Sequence, residues 1–171
     1  MYPENITILT RPFSSRAFHF IAQVGLSGKN VSFTSDTRGV EAHWLMTPFY
    51  RAYRSSRATT DLVAPLGEAA VADIISRCRY LRTAAPDQAR RMVGSMWEAA
   101  NELIDERAPD LIISCHMDCY LYDVICRAQN QRGKDYLAIG DTLFPEYGEV
   151  NYRFLPLEIR TPAPEEVEDI L

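Results

Sequence analysis

The chain has 171 residues, of which 47% are hydrophobic and 24% are charged, and its formal net charge at pH 7 is −5. This composition excludes a disordered or fibrous protein, and the acidic balance argues against a protein that coats nucleic acid or an anionic membrane. No apolar run approaches the roughly 18 residues of a membrane span, and Met1–Asn5 lacks the features of a signal peptide. We therefore expect a cytoplasmic protein whose four cysteines are reduced thiols.

The first predicted elements form a β-α-β unit. Ile6–Leu9 is a short apolar run that predicts a strand, and Val31–Ser35 predicts a second one. Between them, apolar residues at helical spacing follow Ser14 or Ser15, either of which is a suitable N-cap, and Gly28 ends the helix. Two such strands joined by a helix are expected to pair in parallel through a right-handed crossover.

The middle of the chain is predicted to be mainly helical. Apolar residues within Val40–Tyr53 indicate a helix interrupted by Pro48, and Asp61–Ala64 indicates a short third strand. Helices are then predicted over Leu66–Arg82 and over Pro86–Arg107, the second with its proline in the first turn.

The strongest strand signal is Leu111–Ser114, which is continuously apolar, as is typical of a central parallel strand. A helix is predicted over Cys119–Gln131 and a further strand over Tyr136–Ile139. The turn-rich remainder contains an extended piece at Tyr152–Leu157, and Pro162–Leu171 is expected to form an acidic helix or linker. This alternation predicts an α/β domain over residues 1–161, with a Rossmann-like, doubly wound, mostly parallel sheet and helices on both faces.

The loop after the first strand is the first candidate site. Open α/β sheets bind ligands at this position, where the N–H groups and the dipole of the following helix favour an anion. Arg11, Ser14, Ser15 and Arg16 would add charged and hydroxyl groups to a cofactor-binding site here. Because the sequence has neither G-x-G-x-x-G nor G-K-[ST], a standard dinucleotide or P-loop site is not expected. The alternative is a capped helix with solvated arginines.

The second candidate site follows the Leu111–Ser114 strand. His116 could act as a general base near neutral pH, and Asp118 could orient it or act as the base itself. Alternatively, Asp118 caps the next helix and His116 lies at the surface. The spacing of these residues with Cys115 and Cys119 matches no standard zinc site, so no metal is expected. A cysteine nucleophile would require a base that the sequence does not locate.

Two further features could contribute to binding. Asp36 ends the second strand, where an acidic residue can bind ribose hydroxyls in nucleotide-binding folds or can simply turn the chain. The run from His43 to Arg57 mixes aromatic residues with arginines. Such surfaces stack on sugars or bases, form subunit interfaces, or combine core aromatics with a solvated arginine rim.

Short segments spread over nearly the whole chain carry a family resemblance. They are Ser15–Ile21, Val31–Asp36, Asp110–Ser114 with Asp118, Tyr120 and Asp123, Tyr147–Glu149, Leu157–Pro162 and Glu165–Val167. These segments resemble proteins of bacterial surface- and capsular-polysaccharide biosynthesis, which in turn look like GT-B glycosyltransferases. In that family two Rossmann-like domains flank a cleft, and the N-terminal domain usually holds the acceptor while the C-terminal domain holds the nucleotide-sugar.

The resemblance implies that this chain is the acceptor-side domain. The donor-binding residues of the family have no counterpart here, so this domain alone would bind no cofactor, and a C-terminal domain or partner subunit would hold the nucleotide-sugar donor. His116 and Asp118 are the positions that would deprotonate the acceptor hydroxyl. Arg11, Ser14 and Arg16 would face the donor phosphates or the acceptor, and no metal is expected.

Two other functions remain open from the sequence. The chain could be a complete α/β module that recognises a nucleotide or a phosphorylated metabolite through its Ser14–Arg16 loop and does no chemistry. It could also be an assembly subunit that uses the Trp44–Tyr53 region to form a homodimer or to dock on a partner.

Overall fold

A computed structural model describes residues 2–115, 119–141 and 148–152 of the chain. The strands are β1 Asn5–Leu9, β2 Asn30–Ser35, β3 His43–Trp44, β4 Leu111–Cys115, β5 Asp135–Asp141 and β6 Gly148–Tyr152. The helices are α1 Ser15–Gly25, α2 Met46–Tyr53, α3 Thr59–Val63, α4 Glu68–Arg77, α5 Pro86–Arg107 and α6 Tyr120–Gln131, with a 3₁₀ turn at Leu81–Thr83.

The strands form one sheet in the order β3-β2-β1-β4-β5-β6. The first five strands in this order are parallel, and β6 runs antiparallel to β5. Thr7 of β1 lies opposite Ser32 of β2 on one side and opposite Ile112 of β4 on the other. Strands therefore lie on both sides of β1, as in a doubly wound sheet. The predicted Rossmann-like α/β fold is confirmed.

Alternation of side chains along the strands builds two apolar layers. Ile6, Ile8 and Ile113 point to one face, where they pack with Phe18 of α1. Leu9 and Ile112 point to the other face and belong to a larger core that includes residues of α2 to α6. Helices thus cover both faces of the sheet, as the sequence predicts. Within the described residues, no helix is both long and apolar enough to cross a membrane.

The predicted strand at Asp61–Ala64 is wrong, because this segment belongs to the short helix α3. Leu62 and Val63 are buried in α3, and Leu62 packs directly on Gly94 of α5. Since Gly94 has no side chain, the two helices approach closely. The two buried residues are therefore satisfied by contact with another helix rather than by pairing in the sheet.

Other boundaries also differ from the prediction. Within Val40–Tyr53 the chain forms β3 before α2, and Pro48 falls in the first turn of α2, where a missing N–H is tolerated. The helix predicted over Leu66–Arg82 is divided into α4 and the 3₁₀ turn. Strand β6 was not predicted, and only Tyr152 of the expected extended piece is described. The acidic segment 162–171 lies outside the described residues.

Candidate functional site

The candidate site lies between the carboxyl ends of β1 and β4, where the strand order of the sheet reverses. These strands are parallel neighbours, with Leu9 opposite Ser114. The chain leaving β1 enters α1 on one face of the sheet, whereas α6, which follows β4, packs on the opposite face. Connections that diverge in this way open a crevice, which is the usual ligand site of a doubly wound sheet. We call this region the β1–β4 crevice.

Arg11 joins three elements at this crevice. Its Nε and Nη2 donate to the two carboxylate oxygens of Asp36, at 3.1 and 2.8 Å. Nη2 also donates to the Cys119 sulfur at 3.2 Å, and the guanidinium carbon lies 4.9 Å from the centre of the Tyr122 ring. The guanidinium therefore links the ends of β1 and β2 to the start of α6.

The charges of this cluster are fixed by its contacts. Burial by itself lowers the pKa of Arg11, but the hydrogen bonds to Asp36 and the neighbouring Cys119 and Tyr122 outweigh it, so the pKa lies above its ordinary value. Burial raises the pKa of Tyr122 even though Arg11 acts in the opposite direction. The cluster consequently holds a permanent cation against a neutral phenol at neutral pH.

Ser14 is the N-cap of α1, but its side chain does not cap the helix. The Ser14 hydroxyl instead accepts from the Arg11 N–H at 3.2 Å and lies 3.3 Å from the Arg11 carbonyl oxygen. The N-cap of α6 is Cys119, and no side-chain capping bond is present there among the described residues. Two helices therefore begin beside the crevice, and the N–H groups and dipole at a helix N-terminus favour an anion or a polar ligand atom.

Ser15 and Arg16 occupy the first turn of α1. The Ser15 carbonyl accepts from Nδ1 of His19 at 2.8 Å, and the His19 ring stacks on Phe33 with centroids 4.1 Å apart. Arg16 is exposed and has no carboxylate within ion-pair distance in the described part of the chain. Both residues are near the crevice in sequence, but neither joins the cluster around Arg11.

The predicted residues thus separate into three groups. Arg11, Ser14 and Asp36 come together at the crevice, and the whole Asp36 carboxylate is engaged by Arg11 rather than held apart for a ligand. Ser15 and Arg16 lie on the adjoining helical turn. The predicted catalytic residues His116 and Asp118 lie outside the described residues, so their roles stay predictions.

Two contacts of Arg11 are not evident from the sequence. From the sequence, Cys119 is a candidate only as a metal ligand or a nucleophile, and no motif in the sequence indicates Tyr122. The one available signal is that the two residues are three positions apart around the start of a helix, which brings them to the same side. The Tyr122 hydroxyl lies 3.9 Å from the Cys115 sulfur, so it also contacts the end of β4.

Asp123, one residue further along α6, has a structural role. It is buried, and it accepts from Arg77 at 2.5 Å and from Arg127 at 2.9 Å. Arg127 also pairs with Asp73 of α4. This network fixes α4 against α6 behind the crevice, so that the start of α6 is held in position.

Comparison with known proteins gave no match, since no family model fits the chain and no similar curated protein or solved structure was found. Among the residues that the structure describes, no group of three or more histidine, cysteine, aspartate or glutamate side chains could hold a metal ion.

Proposed function

We propose that the chain is the acceptor-side domain of a glycosyltransferase-like protein in bacterial surface-polysaccharide biosynthesis, and that its sugar acceptor binds in the β1–β4 crevice. The observation that most supports this is the Arg11–Asp36 pair at the point where the strand order of the sheet reverses. A sugar hydroxyl is both a donor and an acceptor of hydrogen bonds. A guanidinium beside a carboxylate offers both functions side by side, which suits neighbouring hydroxyls of a sugar ring.

The geometry of the pair suits a neutral ligand, because the two charges already pair with each other. The side chains of Arg11 and Asp36 are 19% and 15% exposed, so each keeps a small accessible surface. Their contacts with each other already satisfy the charges, and the Tyr122 ring lies beside the guanidinium. A neutral polyol can therefore add hydrogen bonds to the accessible atoms without separating the ion pair.

In this proposal the chain supplies only part of the reaction. The nucleotide-sugar donor would be held by a C-terminal domain or partner subunit in the cytoplasm, and this domain would position the acceptor. His116 or Asp118 would accept the proton of the attacking hydroxyl. These two residues fall in sequence between Cys115, which ends β4, and Cys119, which is the N-cap of α6, and both described neighbours border the crevice.

A second function is favoured by a separate observation. Helices α1 and α6 both have their N-termini at the crevice, and the N–H groups and the positive end of the dipole at a helix N-terminus attract phosphate groups. The alternative is therefore a non-catalytic module that binds a nucleotide or a phosphorylated metabolite at the same crevice.

Amide NMR titrations of the ¹⁵N-labelled chain would distinguish the two functions. A set of neutral oligosaccharides should shift the amide signals of Arg11 and Cys119, whereas inorganic phosphate and uridine diphosphate should shift neither. Asp36→Asn should weaken the oligosaccharide effect. Arg107→Gln is the matched control, because Arg107 ends α5 just before β4 begins and so lies at the opposite edge of the sheet.

Two outcomes would overturn the acceptor proposal. If no oligosaccharide shifts these signals while phosphate or uridine diphosphate does, the chain is a phosphate-binding module. If oligosaccharides shift signals only at residues remote from Arg11, or if Arg107→Gln weakens them as much as Asp36→Asn, the crevice is not the acceptor site.

A further inference from the structure

A row of two arginine and two aromatic side chains lies at the same edge of the sheet as the crevice, and we call it the arginine–aromatic ladder. The guanidinium carbon of Arg38 lies 4.0 Å from the ring centre of Trp44, and that of Arg54 lies 5.4 Å from the ring centre of Tyr50. The two rings are themselves 6.3 Å apart and inclined by 48°. The ladder consists of these four residues, with a cation at each end and two aromatic rings between.

The two arginines of the ladder differ from many other described arginines in their ion pairing. Seven of the other described arginines pair with carboxylates, namely Arg11, Arg51, Arg57, Arg77, Arg90, Arg127 and Arg132. Arg38 and Arg54 are exposed, and in the described part of the chain neither lies within ion-pair distance of a carboxylate. Two exposed cations without a described carboxylate partner therefore lie on one small surface of a chain whose net charge is −5.

Stacking on an aromatic ring orients a guanidinium for recognition. The ring contacts the flat face of the guanidinium and leaves its N–H groups at the edge, where they match the two oxygens of a carboxylate or phosphate. Tyr50 is 42% exposed, so part of the aromatic surface between the two cations is open to solvent. A ligand with anionic groups at intervals and apolar ring faces between them would match this pattern.

The ladder lies at the same edge of the sheet as the crevice. Arg38 follows two residues after Asp36, and Trp44 ends β3, which is paired with β2. Burial is the main cause of the raised pKa of Tyr120 at the start of α6, and Tyr50 of the ladder is close enough to that phenol to contribute a smaller part. A single extended ligand could therefore contact both surfaces.

We propose that the ladder binds carboxylated sugar units of the glycan whose acceptor end occupies the crevice, so that the acceptor is an acidic polysaccharide. This inference rests on the proposed function and adds the chemical class of the acceptor. The C–H faces of sugar rings pack on Trp44 and Tyr50, while uronate carboxylates accept from Arg38 and Arg54. A nucleotide, which concentrates its charge at one end, would not match cations on both sides of the rings.

Binding of an oligogalacturonate to the whole chain, measured by calorimetry at two salt concentrations, tests this proposal. The methyl-esterified form of the same oligomer is the neutral comparison. We expect the acid to bind at least tenfold more tightly than the ester, with an advantage that shrinks as salt is added. In an Arg38→Gln/Arg54→Gln protein this advantage should fall by about tenfold, because charge-assisted hydrogen bonds are lost, while ester binding is unchanged.

The matched control is Arg82→Gln/Arg107→Gln. It removes the same charge from two exposed arginines that lie outside the ladder and have no described carboxylate partner. Equal loss of affinity in this control would overturn the ladder proposal, because net charge alone would then explain the effect. All variants should keep the thermal midpoint of the unsubstituted chain, since the substituted side chains are exposed.

The remaining outcomes separate the two proposals. If the ester shifts the amide signals of the crevice and the acid binds no more tightly, the acceptor proposal stands and the ladder proposal is overturned. If neither oligomer binds, and neutral oligosaccharides fail as well, both are overturned. If sedimentation shows a dimer that Trp44→Ala dissociates, the ladder is a subunit interface and the ladder proposal is overturned.

Discussion

Replacing Gly94 by alanine would test how closely α5 approaches α3. A Cβ atom added at Gly94 would lie 2.7 Å from Cβ of Leu62 and 2.9 Å from its carbonyl carbon. Both distances are shorter than van der Waals contact, and the carbonyl carbon belongs to backbone that cannot rotate away as a side chain can. Leu62 is fully buried, so α3 would have to move as a unit.

Two effects of this substitution oppose each other. Alanine is favoured over glycine inside a helix by about 1 kcal/mol, whereas overpacking a core costs about 1–3 kcal/mol. Because backbone atoms obstruct the new Cβ, we take the upper end of the second range and expect the free energy of unfolding to fall by about 2 kcal/mol. Urea denaturation at neutral pH would measure this loss.

Gly25→Ala is the matched control for Gly94→Ala. Gly25 is the last residue of α1, and apart from its own helix and chain neighbours no described heavy atom lies within 4 Å of the added Cβ. Its free energy of unfolding should be unchanged or raised by up to about 1 kcal/mol. A Gly94→Ala protein as stable as the unsubstituted chain would refute the close contact between α3 and α5.

Three further predictions concern the scaffold. Hydrogen bonds from Lys134, and then from two backbone N–H groups near β1, lower the pKa of Asp110 to about 2. Its contribution to stability should therefore be complete above the ordinary pKa of about 4 and be lost as the pH falls to about 2. Denaturation curves against pH should show a shallower acid-side decline for Asp110→Asn, and an unchanged decline would contradict this. Burial raises the pKa of the Cys126 thiol to about 12, so a maleimide at pH 8 should label Cys119 in the native protein but Cys126 only after unfolding. Arg91 donates to three backbone carbonyls at the end of α2 and in the loop that follows it. Arg91→Lys should therefore lower the thermal midpoint nearly as much as Arg91→Met, because one ammonium cannot reach all three, and full stability of Arg91→Lys would refute this role.

Local sequence signals predicted an element well where they determined both of its ends. Pro86 supplies the first turn of α5, and the helix ends at Arg107 because Ala108 adopts a left-handed conformation, with φ of 43°, ahead of Pro109. Both boundaries of α5 were therefore predicted correctly. The apolar residues within Asp61–Ala64 are too few for periodicity to separate a helical turn from a strand. There the contact with α5 stabilises a helix, and the local sequence does not reveal that contact.

The position of the candidate site could be predicted, but its contacts could not. Parallel strands bring their carboxyl ends to one edge, so the two candidate loops, after β1 and after β4, fall on the same edge of the sheet. Arg11 and Asp36 are 25 residues apart, and they meet because β1 and β2 are neighbours in the sheet. Arg11 and Cys119 are 108 residues apart. Their contact depends on the path of α6, which is fixed by packing across the whole domain rather than by the residues around the site.

The two surfaces at the carboxyl edge differ in charge, so we expect them to recognise different parts of a glycan. In the crevice, Arg11 and Asp36 offset each other, so the pair offers donors and acceptors without a net attraction for anions. On the ladder, Arg38 and Arg54 have aromatic rings beside them, and neither has a described carboxylate within ion-pair distance. Asp36→Asn should therefore weaken the binding of neutral and acidic glycans alike, whereas loss of the ladder arginines should reduce only the preference for acidic ones. If both changes altered affinity and selectivity together, the two clusters would form one binding surface rather than two.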